Sequence, residues 1–486
     1  MGFLDRIARF FAPDNFESYE PKYRPIKATR FDALTDRNLK DHWRWVDNRS
    51  LDASLDAETR RQLRNRSRYE VANNSYAFGV ALAISNAVVG SGPRLQILDG
   101  LNDDREAIKR AEWDFAAWML EIKLAEKLRS MRFARFQDGE TFAILHTNRA
   151  LKSPVKIDVM PIDAERVAAP YFELDPFNVD GIQLDEDGNA VSYRVLTLHP
   201  GDITVGTAQI IENSQIYPAS QVIHWFRRTS AEQHRGAPEI TACLNLFALL
   251  RRYTLAVVTA AETAADFAAV MYTDVPGDPG DVYEGKPFET FDIERGLMMT
   301  APTGWKVGQL KSEQPTTTYA EFKREILGEI GRSLQVPVNV ISGDSSSYNY
   351  ASGRLDHQEY QKAIRIDQTQ ASNVVLRPIF AAWWREYSLI YGLPRDVPSV
   401  AFYWDGFEHV DPVKEANAQA VRLAARTTNL SIEYGKQGRD WEDELLQIAR
   451  ERDKMVELGI LPADENVGRA ANDDDENDGA GAVTTE

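Results

Sequence analysis

Residues 280–287, Gly280-Asp281-Val282-Tyr283-Glu284-Gly285-Lys286-Pro287, fill seven of the eight positions of a phosphate-cradling loop, GxxxxGK[ST]. The eighth position, where a hydroxyl would hold Mg2+, is Pro287, and Asp281 and Glu284 would face the phosphates. The segment before it reads as a helix instead of the required strand, so the stretch is a surface turn. Gly343-Asp344-Ser345 with His357 sketches a hydrolase, yet no nucleophile elbow of the form Gly-x-Ser-x-Gly occurs in the chain. The seven histidines are scattered without ligand spacing. Asp185-Glu186-Asp187-Gly188-Asn189 has its glycine in the wrong place for a calcium loop and reads as a hairpin turn. A single cysteine, Cys243, excludes an intramolecular disulfide and an all-cysteine metal cluster. No catalytic residue, metal site or cofactor is therefore expected.

The remaining chemistry is that of contact. Ser345, Ser346, Ser347, Tyr348, Asn349 and Tyr350 form a polar loop of hydroxyls, an amide and aromatic rings. Such groups hydrogen-bond to phosphates and water without the full charges that would anchor a polyanion. Arg227, Arg228 and Arg235, with His224, Trp225 and His234, make the strongest basic cluster. Pairing with an acidic neighbouring subunit is the first reading of it, and contact with DNA the second. Glu262 and Asp266 stand four residues apart on an alanine-rich helical stretch; they are either a solvated face or the wall of an acidic channel. Residues 255–270 hold seven alanines with Thr259 and Thr263, small residues that let helices approach closely, so Ala260 and Ala264 are candidate subunit contacts.

These groups need rigid elements to position them. Residues 51–86 read as helices with Arg60, Arg61, Arg64, Arg66 and Arg68 on exposed faces, and residues 103–132 as a further helix. Alternating apolar residues place strands at 142–146 and 155–159, and a hairpin spans 182–195 about Asp187-Gly188. From Pro238 to Tyr272 nothing interrupts a helix, and Pro238 suits its first position. At ~1.5 Å per residue that rod is about 50 Å long. A turn-rich stretch, 273–317, holds short strand candidates at 288–291 and 305–310. Thr318 and Glu321 form a capping box for a helix to Leu334, with Phe322, Ile326, Ile330 and Leu334 on one stripe. Pro337 ends that helix. Residues 354–391 are helical, kinked or divided at Pro378, and two helices capped by Asp411 and Asp440 follow. From Asp464 the composition, with Asp473-Asp474-Asp475-Glu476, is that of a disordered acidic tail.

A chain of 486 residues with 43% hydrophobic content supports two to four structural units. Its net charge of −18 argues against a protein that coats nucleic acid, but not against one that lets DNA slide past. The first residues lack a signal-peptide core, and Phe3, Leu4, Ile7, Phe10 and Phe11 with Arg6 and Arg9 form a small amphipathic helix suited to docking on a neighbouring surface. The apolar stretch 77–90 is too short to span a bilayer, and no membrane partner is expected.

Four motifs in order resemble the lambda-type portal proteins of tailed bacteriophages. Asn73 to Gly92, ending Val88-Val89-Gly90-Ser91-Gly92, resembles the family's "VVGxG" turn. Val222-Ile223-His224-Trp225-Phe226-Arg227-Arg228 with Arg235-Gly236-Ala237-Pro238 resembles "VIHxFR…RGxP". Val336-Pro337 with Asn349-Tyr350-Ala351-Ser352 is similar to "VPYxxLxGD…NYSS", with Val338 in place of the usual aromatic. Gly438-Arg439-Asp440-Trp441-Glu442-Asp443 with Gln447-Ile448-Ala449 is similar to "GRDWEDxLxQIA".

The resemblance implies a helix-rich α+β portal fold assembled as a ring, usually of twelve subunits, at one capsid vertex. The implied parts are an N-terminal arm (1–19), a wing (20–237), stem helix one (238–272), a clip (273–317), stem helix two (318–336), a tunnel loop (337–352), a helical wing and crown (353–463) and the tail (464–486). Implied partners are further copies of the chain, the large terminase subunit, the head-tail adaptor, the major capsid or scaffold protein, and double-stranded DNA. The virion is the implied location, after assembly in the host cytoplasm. Twelve helices about 10 Å across close a circle of roughly 120 Å and leave a bore near 28 Å, wide enough for a duplex. The rivals are a packaging ATPase or hydrolase, which lacks its motif, and a cytoplasmic helical adaptor, which would not form rings.

Overall fold

The computed structural model describes residues 48–99, 101, 104–169, 175, 177–202, 214–265, 269–273, 305–309, 318–346, 348–406 and 412–460. The chain divides into Met1–Ser50 and Leu51–Glu486, and every described helix and strand belongs to the second unit. The amphipathic start, most of the clip segment, Asp411 and the acidic tail lie outside the described residues.

The described elements are a helix-rich α+β assembly. A short turn α1 (Leu51–Ser54) leads to α2 (Ala57–Asn73), which Asp56 caps by accepting from the Thr59 amide at 2.7 Å. Then come α3 (Ser75–Val89), β1 (Arg94–Ile97), α4 (Arg105–Glu121) and α5 (Leu124–Asp138). The single helix expected over 103–132 is thus two, divided at Lys123, whose φ of 55° is left-handed and breaks the ladder. Strands β2 (Glu140–Thr147) and β3 (Ile157–Ile162) pair antiparallel, and β8 (Val222–Phe226) lies on the other side of β2. The central strand β2 is buried on both faces: Phe142 and Ile144 enter a small core with Ile182 and Val195, while Ala143 and Leu145 enter the main one.

A second sheet runs β4 (Asn178–Val179), β5 (Ile182–Leu184), β6 (Ala190–Leu196) and β7 (Ser214–Pro218). The expected hairpin is its centre: the Asp185 carboxylate accepts from the amides of Asp187 at 3.0 Å and Asn189 at 2.7 Å, and Gly188 supplies φ 80°.

The long rod is shorter than its sequence suggests. A 3-10 turn, Thr241–Cys243, precedes α6 (Leu244–Ala265), whose 22 residues span about 33 Å. Residues 269–272 do not continue it: Ala269–Thr273 is β9, paired antiparallel with β10 (Trp305–Gln309). Val270 and Tyr272 favour a pleated strand once a partner is available, and β10 falls where a strand was expected. Next come α7 (Tyr319–Leu334) and α8 (Val338–Ser342), then α9 (Tyr350–Ala371). Thr318 stands at the N-cap of α7 in a helical backbone conformation (φ −82°, ψ −5°), not the extended one that a capping box needs. A π-helical turn, Ser372–Leu376, joins α9 to α10 (Arg377–Tyr391). Pro378 cannot donate to the carbonyl of Val374, and the widened turn absorbs the missing bond, so the helix is neither broken nor sharply divided. Strand β11 (Val400–Tyr403) pairs with β1, and α11 (Pro412–Ala424), α12 (Leu430–Lys436) and α13 (Trp441–Glu457) end the described chain. The predicted Asp440 cap is present, accepting from the Glu442 amide at 2.9 Å.

Candidate functional site

The polar loop is built more tightly than its composition suggests. Gln335 ends α7 with φ 58°, and the Val336 amide returns to the Gly331 carbonyl at 2.9 Å. Pro337 then starts α8, so residues 338–342 are helix rather than loop, because Val340 and Ile341 pack back on the main core while proline presets the first turn. Gly343, at φ 68°, closes α8. Asp344 accepts from the Ser346 amide at 2.8 Å, which holds its carboxyl below the ordinary range, and Tyr348 donates its amide to the Ser345 carbonyl at 3.1 Å. Asn339 donates to the Ser345 hydroxyl at 3.3 Å and meets His357 Nε2 at 3.0 Å. That imidazole nitrogen therefore faces an amide and not a serine, which is not the pairing of a nucleophile with its base.

Ser345, Ser346 and Asn349 are exposed and Tyr348 is half-buried. Tyr350 is not a loop residue but the first residue of α9, four earlier than expected. Ser347 and the Tyr350 side chain lie outside the described residues. What the arrangement offers is a row of neutral hydrogen-bonding groups beside one exposed carboxylate, Asp344, on a short, anchored turn.

The arginine cluster divides. Arg235 is fully buried and pairs with Glu140 at 2.7 Å and Asp180 at 3.3 Å of its own chain, so it has no surface to offer a neighbour. Arg227 and Arg228 stay at the surface, Arg227 being 3.9 Å from Asp367 and Arg228 lying over the Phe226 ring at 5.7 Å. With Arg332, Gln335 and Asp367 they line a cavity of about 890 Å3. Glu262 is exposed near the end of α6 and Ala260 is half-exposed, while Asp266 and the Ala264 side chain lie outside the described residues.

Two buried ionic networks went unseen in the sequence. Arg60 and Arg64, expected on exposed faces, are 2% and 3% exposed. Arg60 reaches Asp180, and Arg64 reaches Glu140, which also accepts from the Gly236 amide at 2.9 Å and meets His224 Nε2 at 3.0 Å. Burial by itself would raise the Glu140 pKa; the Arg235 charge, the His224 contact and Arg64 outweigh it and hold the carboxyl well below its usual range. Burial, helped by the Arg235 charge, lowers Arg60 to about 10. The signal was present: 60, 64, 67 and 71 fall on one helical face, and Ser67 and Val71 are buried too.

The second network ties α9, the helix after the loop, to α5. Arg132 and Arg135 on α5 pair with Glu239 at 3.0 Å each, and with Asp367 of α9 at 2.9 and 2.7 Å. Burial opposes ionisation of both carboxyls, yet the two arginine charges lower them.

Among the described residues no group of three or more His, Cys, Asp or Glu could hold a metal. One stretch, Thr241–Glu262, is long and apolar enough to cross a membrane by length and composition; it carries Arg251 and Arg252 near its middle, where a span tolerates charge poorly.

The two long helices, the polar turn and most of the third helix fall within a stretch of sequence that matches a known family. Residues 36–368 match the profile described as "Phage portal protein, lambda family". The chain belongs to the lambda family of phage portal proteins. It is 27% identical over 301 residues to the "Probable portal protein" of Halomonas phage phiHAP-1, a match covering 58% of this chain and 56% of that one, so the chain spans about half the length of that relative. Among solved structures, the neck of an empty gene transfer agent particle overlaps with 15% identity and a TM-score of 0.44, covering 78% of this chain and 94% of that one. An HK97-family phage portal protein from Corynebacterium diphtheriae overlaps with 11% identity and a TM-score of 0.28, covering 72% and 96%.

Proposed function

We propose that this chain is the portal subunit of a tailed phage or phage-like particle, forming a homo-oligomeric ring of about twelve copies through which double-stranded DNA enters and leaves the capsid. The observation that carries the reading is the family match, which runs through α6, α7, the polar turn and most of α9. The terminase motor and later the head-tail adaptor would dock on the segment between β9 and β10, and the capsid or scaffold protein would hold the wing. The role is structural: the site geometry offers hydrogen-bonding groups and surface charge, and the chain assembles inside the host before it resides in the virion.

In this reading the turn from Gly343 to Asn349 lines the constriction. Its exposed serines and Asn349 touch passing phosphates weakly, and half-buried Tyr348 supplies bulk. Glu262 and Asp266 line the channel and keep its wall from gripping DNA, while Ala260, Ala264, Arg227 and Arg228 meet neighbouring subunits. The test is to build particles with Tyr348→Gly and with Ser345 and Ser346 both changed to Ala. Rings seen by negative stain should be normal, because α7, α8 and α9 carry the packing, and encapsidated DNA should fall. Normal DNA content refutes the constriction role, and a wild-type chain that forms no ring refutes the portal reading.

A further inference from the structure

Helix α6 is unusually apolar for how little of it is covered. Leu249, Leu255 and Val258 are 53%, 58% and 49% exposed, and Phe322 on α7 is 48% exposed. Leu249, Arg252, Tyr253, Phe322 and Ile326 surround a cavity of about 380 Å3 between the two helices. Tyr253 stands edge-on to Phe322 at 4.8 Å and keeps the cavity's wall fixed. Beside this opening α7 carries a carboxylate row. Glu321, Glu325 and Glu329 recur every four residues, all exposed, and Glu329 lies two turns from Phe322 on the same face. None of the three has an ion pair among the described residues.

Helix α9 carries the counterpart. Leu355 and Ile366 are 65% and 62% exposed. Eleven residues apart, they share one face of the helix, about 16 Å from end to end. Lys362 lies two turns from Leu355 on that face, and Arg354 and Arg365 flank it. Of the nearby carboxylates, Glu359 shares the face, while Asp356 is engaged by Tyr348. Arg354 and Lys362 make no ion pair among the described residues. Each face is incomplete alone: one is an apolar opening with Arg252 on its α6 side and the carboxylate row on its α7 side, the other an apolar ridge edged by Arg354 and Lys362 with Glu359 among them. The seven-residue spacing of Phe322 and Glu329 on one matches that of Leu355 and Lys362 on the other.

We infer that the α9 ridge of one copy seats in the α6–α7 opening of the next copy. Leu355 fills the cavity by Phe322, which brings Lys362 beside Glu329, and Arg354 lies within a turn of Glu325. The occupant is a second copy because one chain carries both halves and leaves both uncovered, and because a chain of net charge −18 needs a local attraction to pack against itself. The two patches differ, so the contact is head-to-tail, the kind that closes a ring. This rests on the ring reading and adds which surfaces make it.

The test uses the full chain and a charge exchange, with assembly read by light scattering. Glu325→Lys with Glu329→Lys, and separately Arg354→Glu with Lys362→Glu, should each lower the assembled fraction at least tenfold while far-UV circular dichroism stays unchanged, since all four residues are exposed. Combining the four changes in one chain, or mixing the two double variants, should restore assembly. If either double variant assembles like the parent, or if exchange fails to restore what both lost, the pairing is overturned. A parent chain that never assembles overturns the ring reading, and this pairing with it.

Discussion

Changing Asp367 to Asn keeps the side chain's volume and removes one of the two carboxylates that face Arg132 and Arg135. Those arginines are 1% and 0% exposed, so they cannot turn to water, and Glu239 would be left to balance both. Breaking a buried pair in this way costs about 3–5 kcal/mol. With a urea dependence of about 3 kcal/mol/M, the unfolding midpoint should fall by roughly 1–1.7 M. Tryptophan fluorescence is the assay, since the Arg135 guanidinium lies over the Trp225 ring at 5.1 Å and any loosening reaches that indole. Arg135→Met in the same background removes the excess charge, so the double variant should lose less than the sum of the two single losses by more than about 1 kcal/mol. A loss under about 1 kcal/mol for Asp367→Asn, or strict additivity, would refute the claim that this network bolts α9 to α5.

Stability should depend on pH in two steps. Burial lowers the His224 pKa from 6.5, so the folded form holds it neutral and its contribution, complete above pH 6.5, is lost as pH falls below that value. Glu140, Glu239 and Asp367 are also lowered, from 4.5, 4.5 and 3.8, so their contribution is complete above those values and lost as pH falls through them. Urea midpoints measured from pH 8 to pH 3.5 should be level at first, then decline below 6.5 and more steeply below 4.5; a midpoint that rises on acidification contradicts both. Gly139→Ala should cost about 1–3 kcal/mol from crowding and a further 1–2 from its left-handed φ of 89°, because the new Cβ would collide with the Ala237 carbonyl carbon; an unchanged melting curve refutes that close approach. Ala260→Leu with Ala264→Leu should weaken assembly through overpacking of about 1–3 kcal/mol, and light scattering identical to the parent would place these alanines away from any subunit contact.

Features set by neighbours in the chain were legible before any coordinates. The Asp187-Gly188 hairpin and the Asp440 cap rest on contacts within a few residues, where residue type dictates backbone geometry. Of the expected stripe, Ile326, Ile330 and Leu334 are buried while Phe322 is not, and left-handed Gln335, not Pro337, stops α7. The family motifs are equally local, and they led to the portal reading. The other features depended on partners far along the chain. Residues 269–273 look helical beside so many alanines and become a strand only because 305–309 pair with them. Arg60, Arg64 and Arg235 look like surface charge until residues 140 and 180 arrive beside them. A lone arginine costs too much to bury, so its side of a helix reads as solvent-facing, and only the tertiary structure, by bringing a carboxylate from 76 or 95 positions away, reverses that sign.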